Sequence, residues 1–251
     1  MSDAAFSSLV IDTRKLLSMG MDGPALKVVM RGCSPVLFPL RRLRRIHILG
    51  TPGSGMEALL FCAEQQIPVA FFKSNGRLRC RLNPAAGTPA LIDHWFEHVE
   101  FDPQIGQLYD DWVLHQGLHA MSRLGINAGA CESRKKLVYE TLRGFCRQKL
   151  GRGNLKAALE WLDGLLCFHL EQVIEEFGFV QQRGRLKLLG DMKPICDLWL
   201  LHALAGSLQQ RASFNVTAQS MTAFYQQQAD QLEFASRRML TQLVNRLEAV
   251  V

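Results

Sequence analysis

The sequence predicts an α+β chain: a small, mostly antiparallel N-terminal β domain carrying one helix, followed by a larger all-α domain. Three observations lead there. Short apolar and β-branched runs punctuated by glycine and proline turns fill the first third of the chain. Asn83-Pro84-Ala85-Ala86-Gly87-Thr88-Pro89 then interrupts the pattern with two prolines and a glycine. Beyond Pro89 the apolar residues recur at helical spacing. The expected organisation is a β domain over 1–83, a linker over 84–89 and an α domain over 90–251.

Within the first domain, LVID (9–12), ALKVVM (25–30) and VLFPL (36–40) read as strands, separated by turns such as Met21-Asp22-Gly23-Pro24. Arg41, Arg42, Arg44 and Arg45 precede an apolar run over 46–49, broken only by His47. Gly50-Thr51-Pro52-Gly53-Ser54-Gly55 has the glycine spacing of a phosphate-binding loop. Met56-Glu57 stands where such a loop needs Lys-Ser/Thr, so the segment reads as a strand-to-helix turn. A helix is expected over 56–66 with Met56, Leu59, Leu60 and Ala63 on one face. IPVAFF (67–72) fits a buried strand, Asn75-Gly76 a tight hairpin turn, and 77–82 the returning strand.

In the second domain, breaks are expected near 101–103, 125–129, 151–154 and 177–184. Residues 155–177 carry an apolar stripe through Leu155, Ala158, Leu162, Leu166, Leu170 and Val173, and 218–251 form a long amphipathic helix.

Composition bounds the function classes. At 251 residues, 48% hydrophobic and 21% charged, the chain has the balance of a globular protein rather than a disordered one. No apolar run reaches the length of a membrane span, and residues 1–6 lack a signal-peptide pattern, so a cytoplasmic protein is expected. Seven cysteines (33, 62, 80, 131, 146, 167 and 196) form no Cys-x-x-Cys pair, which argues against a disulfide framework or structural zinc and for buried free thiols. The net charge of +6, with basic clusters at 41–45, 77–81, 134–136, 143–152 and 183–187, favours anionic partners.

His94-Trp95-Phe96-Glu97-His98 is a literal H-x-x-E-H, a spacing that on a helix sets two imidazoles and a glutamate together as zinc hydrolysis requires. A solvated helix face is the plain alternative. His115 and His119 are also four apart, and a helix surface or packing seam accounts for them.

The ordered set Ile46, Ile48, Gly50, Ala58, Leu59, Ile67, Pro68, Val69, Phe72, Gly76, Arg77 and Leu82 resembles the N-terminal domain of the CRISPR-associated adaptation integrase, the Cas-one family. That family carries a divalent-metal site made by a glutamate, a histidine and an aspartate. Its glutamate opens a helix with a tyrosine seven residues on, as do Glu132 and Tyr139 here, with Ser133 at the family's glycine and Lys135-Lys136 at its pair of small residues. The family's Gly-Phe-Leu, Gly-Arg and catalytic aspartate correspond to Gly178-Phe179-Val180, Gly184-Arg185 and Asp191, and Gln181 falls on the histidine position. The resemblance runs over 8–82 and 132–197.

What the resemblance implies is a metal-dependent DNA integrase and endonuclease that joins spacer DNA to repeat DNA. Glu132 and Asp191 are then the catalytic residues, and Glu132, Gln181 and Asp191 the ligands of Mg²⁺ or Mn²⁺. Hard cations of this kind prefer carboxylate oxygen, and a glutamine carbonyl is a weaker ligand than imidazole for Mn²⁺. His169 is a possible substitute for the missing histidine. Arg134, Lys135, Lys136, Arg143, Arg147, Arg183, Arg185 and Lys187 are candidates for contact with DNA phosphates. The implied partners are spacer and repeat DNA, a second copy of the chain joined through the β domain, and the small ferredoxin-like Cas-two protein. Three alternatives stay open: a DNA-binding or assembly subunit without catalysis, the zinc hydrolase, and plain helix-start roles for Glu132 and Asp191.

Overall fold

The structure is a computed structural model that describes residues 7–83, 102–125, 132–180, 182–210 and 214–249, with backbone alone at Ser7 and at 132–134. The chain forms two compact units, Met1–Ala86 and Gly87–Val251.

The first unit has two sheets. In one, β1 (Ser7–Asp12), β5 (Leu43–Leu49), β6 (Val69–Phe72) and β7 (Leu78–Leu82) lie in the order β1-β5-β6-β7; in the other, β2 (Leu16–Asp22), β3 (Ala25–Met30) and β4 (Val36–Pro39) form a meander. Three of the five strand pairs are antiparallel. The pairs β1–β5 and β5–β6 are parallel, and parallel neighbours need a crossover. α1 (Met56–Glu64) supplies it between β5 and β6. As the central strand, β5 is buried almost continuously, which explains why its sequence reads as an unbroken apolar run. The Asn75-Gly76 turn joins β6 to its antiparallel partner β7, as expected.

Two details differ from expectation. β2 carries no β-branched residue and was not among the expected strands; pairing with β3 along Ser18↔Val29 to Asp22↔Ala25 makes it one. On α1 the buried residues are Ala58, Leu59, Cys62 and Ala63, while Met56 and Leu60 are exposed. The helix is rotated so that its small residues meet the sheet. Gly55, at φ 84°, caps α1 in the left-handed region, and a Cβ there would lie 2.7 Å from the Met19 carbonyl oxygen. The core gathers Ile11, Leu26, Ile46, Ile48, Leu59, Val69 and Phe71. It also encloses His47, whose ring meets Phe72 edge-on at 5.5 Å, and burial together with the neighbouring Arg45 charge pushes the imidazole down to about 3.

The described part of the second unit is helical: α2 (Pro103–Arg123), α3 (Glu132–Leu150), α4 (Arg152–Glu176), α5 (Gln182–Gln210) and α6 (Ala218–Glu248). Asp102 caps α2 by accepting from the Gln104 amide at 2.8 Å, with Pro103 in the first turn. Thr217 and Ser220 form a reciprocal cap on α6. Only Gly151, at φ 79°, separates α3 from α4, a shorter break than expected. α5 resumes at Gln182 and runs through Gly184, Gly190 and Pro194, so the interruption ends earlier than 184. Trp112, Tyr109, Tyr225, Phe168 and Phe179 are the largest fully buried side chains of this unit among the described residues. No helix among the described residues is long and apolar enough to cross a membrane. The thiols of Cys62, Cys146 and Cys196 are buried as expected, but Cys33 and Cys80 are exposed and Cys167 is half-buried.

Candidate metal and nucleic-acid cleft

α2, α3 and α5 diverge around a cleft of about 570 Å³. α2 contributes Gly117 and Ala120, α3 contributes Lys135, Lys136 and Tyr139, and α5 contributes Gly190, Asp191, Pro194 and Asp197. Asp191 is half-buried in the middle of α5, which corrects its reading as a helix-start residue. Its Oδ2 accepts a 2.6 Å hydrogen bond from the hydroxyl of Tyr109 on α2. Burial, and then the Asp191 carboxylate itself, push the Tyr109 hydroxyl far above its ordinary value, so it stays a donor. One carboxylate oxygen is thus held, and the pair fixes which way Asp191 faces. Lys187 lies over the Tyr109 ring at 4.8 Å, one turn of α5 before Asp191. Pro194, three residues beyond Asp191, has no N–H to give to the Gly190 carbonyl on the same wall.

Lys135 crosses Gly117 so closely that a Cβ on this glycine would collide with its Nζ and Cε. A side chain at 117 would make the end of Lys135 shift. Beside the cleft residue Asp197, Lys193 bridges Asp163 at 2.7 Å and Asp197 at 2.5 Å. Burial opposes the charge on Lys193, but the two carboxylates win and hold it above its ordinary value. Asp197 is pushed up by burial, with Lys193 opposing.

The other expected site residues divide. Glu132 is the first residue of α3, and the backbone sets it one turn before Lys135 and Lys136 on the helix face that lines the cleft. Its side chain lies outside the described residues, as do the Arg134 side chain and Gln181. Lys135, Lys136 and Asp191 come together. Arg143 (exposed, 4.0 Å from Glu140), Arg147 (exposed), Arg183 (exposed) and Arg185 (paired with Glu175) do not line the cleft. His169 is buried, but it faces Glu233 at 3.4 Å and the edge of Tyr225, away from the cleft lining; this removes it as a substitute ligand. His94, Glu97 and His98 lie outside the described residues.

Among the described residues no group of three His, Cys, Asp or Glu side chains could hold a metal. Asp191 fits a hard divalent cation all the same: it is an oriented carboxylate on a cleft wall, with the position of a second carboxylate, Glu132, on the facing helix. Sequence reasoning missed Tyr109, Gly117 and the Asp163–Lys193–Asp197 cluster. A signal for Tyr109 existed, because a tyrosine on the stripe Ile105, Tyr109, Trp112, Gln116 needs a partner for its hydroxyl once buried.

The model of the family described as CRISPR associated protein Cas1 matches residues 10–113, the β unit and the beginning of α2. No curated protein matches the sequence. Solved structures match over nearly the whole chain. A Cas1 protein from Thermotoga maritima superposes with a TM-score of 0.67 at 11% identity, covering 96% of this chain and 97% of its own. A casposase bound to an integration product gives 0.68 at 11% identity, covering 96% and 91%. TtCas1 gives 0.64 at 15% identity, covering 98% and 99%. The β unit before a helical unit and these superpositions give this chain the fold of Cas1 proteins, and its residues 10–113 match the Cas1 family model.

Proposed function

We propose that the chain is a Cas1-like DNA integrase and endonuclease of CRISPR adaptation, joining spacer DNA to repeat DNA by phosphoryl transfer. The observation that carries this reading is the oriented Asp191 in a cleft whose other wall begins at Glu132 and presents Lys135 and Lys136. Asp191 and Glu132 would hold Mg²⁺ or Mn²⁺, with Gln181 at the third position. Such an ion, when bound, polarises the phosphate and stabilises charge on the attacking or leaving oxygen. The chain's own residues do the rest. Tyr109 keeps Asp191 turned to the cleft, and the two lysines draw the phosphate backbone toward it. In support, the family model that matches residues 10–113 is described as CRISPR associated protein Cas1, and the similar solved structures include a casposase bound to an integration product and a Cas1–DNA complex.

Partners follow from the same reading: a second copy joined through the β unit at 1–83, spacer and repeat DNA, and a Cas-two protein. A Cas6-RT-Cas1–Cas2 complex, matched with a TM-score of 0.57 over 98% of this chain and 36% of that one, supports the last. Action on CRISPR DNA would set the protein in the cytoplasm.

A second reading, a DNA-binding or assembly subunit without catalysis, is favoured by Lys135 and Lys136 themselves. They add positive charge to the cleft at positions where the family has small residues, and that charge opposes a bound cation. The test is incubation with branched DNA and Mn²⁺, comparing wild type with Asp191→Ala. Cleavage or strand transfer by wild type and its loss in the variant support the first reading. Tight DNA binding with no metal-dependent product from either protein overturns it and leaves the second.

A further inference from the structure

α2 has a second face. Away from Asp191, its residues His115, Gln116, His119 and Arg123 form a stripe with a step of one turn. Along α6, Arg238, Met239, Gln242, Asn245 and Arg246 form another. The two stripes face each other across a groove of about 410 Å³, closed at one side by Trp199 of α5. Its floor is rigid. The Trp112 indole N–H donates to the Met239 carbonyl at 2.9 Å, and the Gln116 amide donates to Gln242 Oε1 at 2.7 Å.

The charge in this groove is one-sided. Arg123, Arg238 and Arg246 line it, and no carboxylate does. Among the described residues none of the three arginines forms an ion pair. Glu233, five residues before Arg238 on α6, is turned to Arg237 and His169. Asp230 belongs to the adjoining hollow that Arg123 and Trp199 also border. Arg123 is steadied over the Trp199 ring at 5.9 Å, and the His115 ring is fixed by a 2.6 Å contact from Nδ1 to the Asp111 carbonyl. His119 feels the imbalance: burial, then the charges of Arg238 and Arg123, lower its pKa. Planar guanidinium forks that form no ion pair among the described residues match phosphate oxygens in a way that ammonium groups do not.

We propose that the groove between α2 and α6 binds the phosphodiester backbone of a nucleic-acid strand, with Arg123, Arg238 and Arg246 as the phosphate contacts. The stripe from Arg238 to Arg246 spans eight residues, about 12 Å of helix. That length can follow a few successive phosphates of one strand. Arginines without lysines, and glutamine and asparagine side chains between them, suit a backbone held by shape and charge with no base read. The site is separate from the Asp191 cleft, so it stands whether or not that cleft catalyses.

The test uses the full chain in EDTA, so that metal chemistry plays no part. A fluorescein-labelled twelve-residue oligothymidylate is titrated by anisotropy between 50 and 200 mM salt. The variants are Arg238→Ala with Arg246→Ala, and Arg123→Ala alone; exposed or half-exposed as these arginines are, circular dichroism is expected to match wild type. The double variant is expected to bind about tenfold more weakly at 100 mM salt. Its salt slope is expected to be shallower by about 1.4, two contacts at about 0.7 each for a single strand. Unchanged affinity and slope in the double variant overturn the proposal. So does an arginine-dependent preference for twelve-residue polyglutamate or for tripolyphosphate over the oligonucleotide, which would make the groove an acidic-peptide or small-anion site. Arg123→Ala, read in the same way, is expected to lose one contact, about 0.7 in slope.

Discussion

The two units differ in whether their polar side chains also meet recesses. In the β unit, His47 and Arg45 lie on the central strand β5, nearly sealed at 2% and 5% exposure among apolar neighbours. The helical unit seals polar side chains too, His169 and Ser236 among them, but others border recesses: Tyr109 reaches Asp191 on the cleft wall, and Gln116 meets Gln242 on the floor of the arginine groove. Paired strands consume their own backbone polar groups and leave no room between them. Helices that diverge leave gaps in which a carboxylate or guanidinium keeps contact with water. The candidate cleft and the arginine groove therefore both lie in the helical unit, and the β unit gives a closed core.

The largest effect that would test this contrast comes from the helical core. Trp112 is fully buried and its indole donates to the Met239 carbonyl, so it fills space and also ties α2 to α6. Trp112→Ala is expected to destabilise this unit by about 3–5 kcal/mol. Tryptophan fluorescence during urea unfolding reports it, because all four tryptophans (95, 112, 161 and 199) lie beyond residue 87. Amide exchange at β5 is expected to keep its wild-type protection. Loss of protection in both places would mean that the units unfold together, and the contrast would fail.

A smaller effect belongs to the β unit and to pH. His47 is held at about 3 in the fold, against an ordinary value of 6.5. The unfolded chain therefore takes up the proton first, and acid favours unfolding. The stability at stake is fully present above about pH 6.5 and drains away as pH falls toward 3, on the order of a few kcal/mol. His47→Gln removes the titrating group, and its stability is expected to change less than that of wild type over this window. Parallel curves for the two proteins, read from amide exchange at β5 between pH 7 and 4, would show that another group sets the acid limit.

How much of this was legible follows the same division. Strand β3 and the Asn75-Gly76 hairpin are local in origin, and their residues alone announce them. β2 is strand only through its partner, since LLSMGMD carries glycine and methionine where β-branched residues would signal one. α5 contains Gly184, Gly190 and Pro194, whose propensities argue for a break, yet packing of Leu188, Met192, Ile195 and Leu198 carries the helix through them. At the site, Asp191 and the lysines could be named from a family pattern. The tyrosine that orients Asp191 lies 82 positions away, and the groove arginines are scattered singly through α2 and α6. Contiguous basic clusters draw the eye in a sequence. Arg123, Arg238 and Arg246 become a cluster only by folding.

The smallest effect is the sharpest on the site. Tyr109→Phe keeps the ring that packs at 5.5 Å against Trp112 and removes only the hydroxyl that donates to Asp191. Asp191 borders the cleft, so water can replace the lost donor; the cost is expected to be about 1 kcal/mol in urea unfolding followed by tryptophan fluorescence. A pair sealed from water would cost more, because the carboxylate would be left without a partner. The cleft should register the change more strongly than stability does. With its Oδ2 no longer fixed, Asp191 samples other rotamers, and Mn²⁺ titrated calorimetrically against the free protein is expected to bind several-fold more weakly. Unchanged Mn²⁺ affinity alongside the 1 kcal/mol loss would make the Tyr109–Asp191 bond a packing tie between α2 and α5, with no part in presenting the carboxylate.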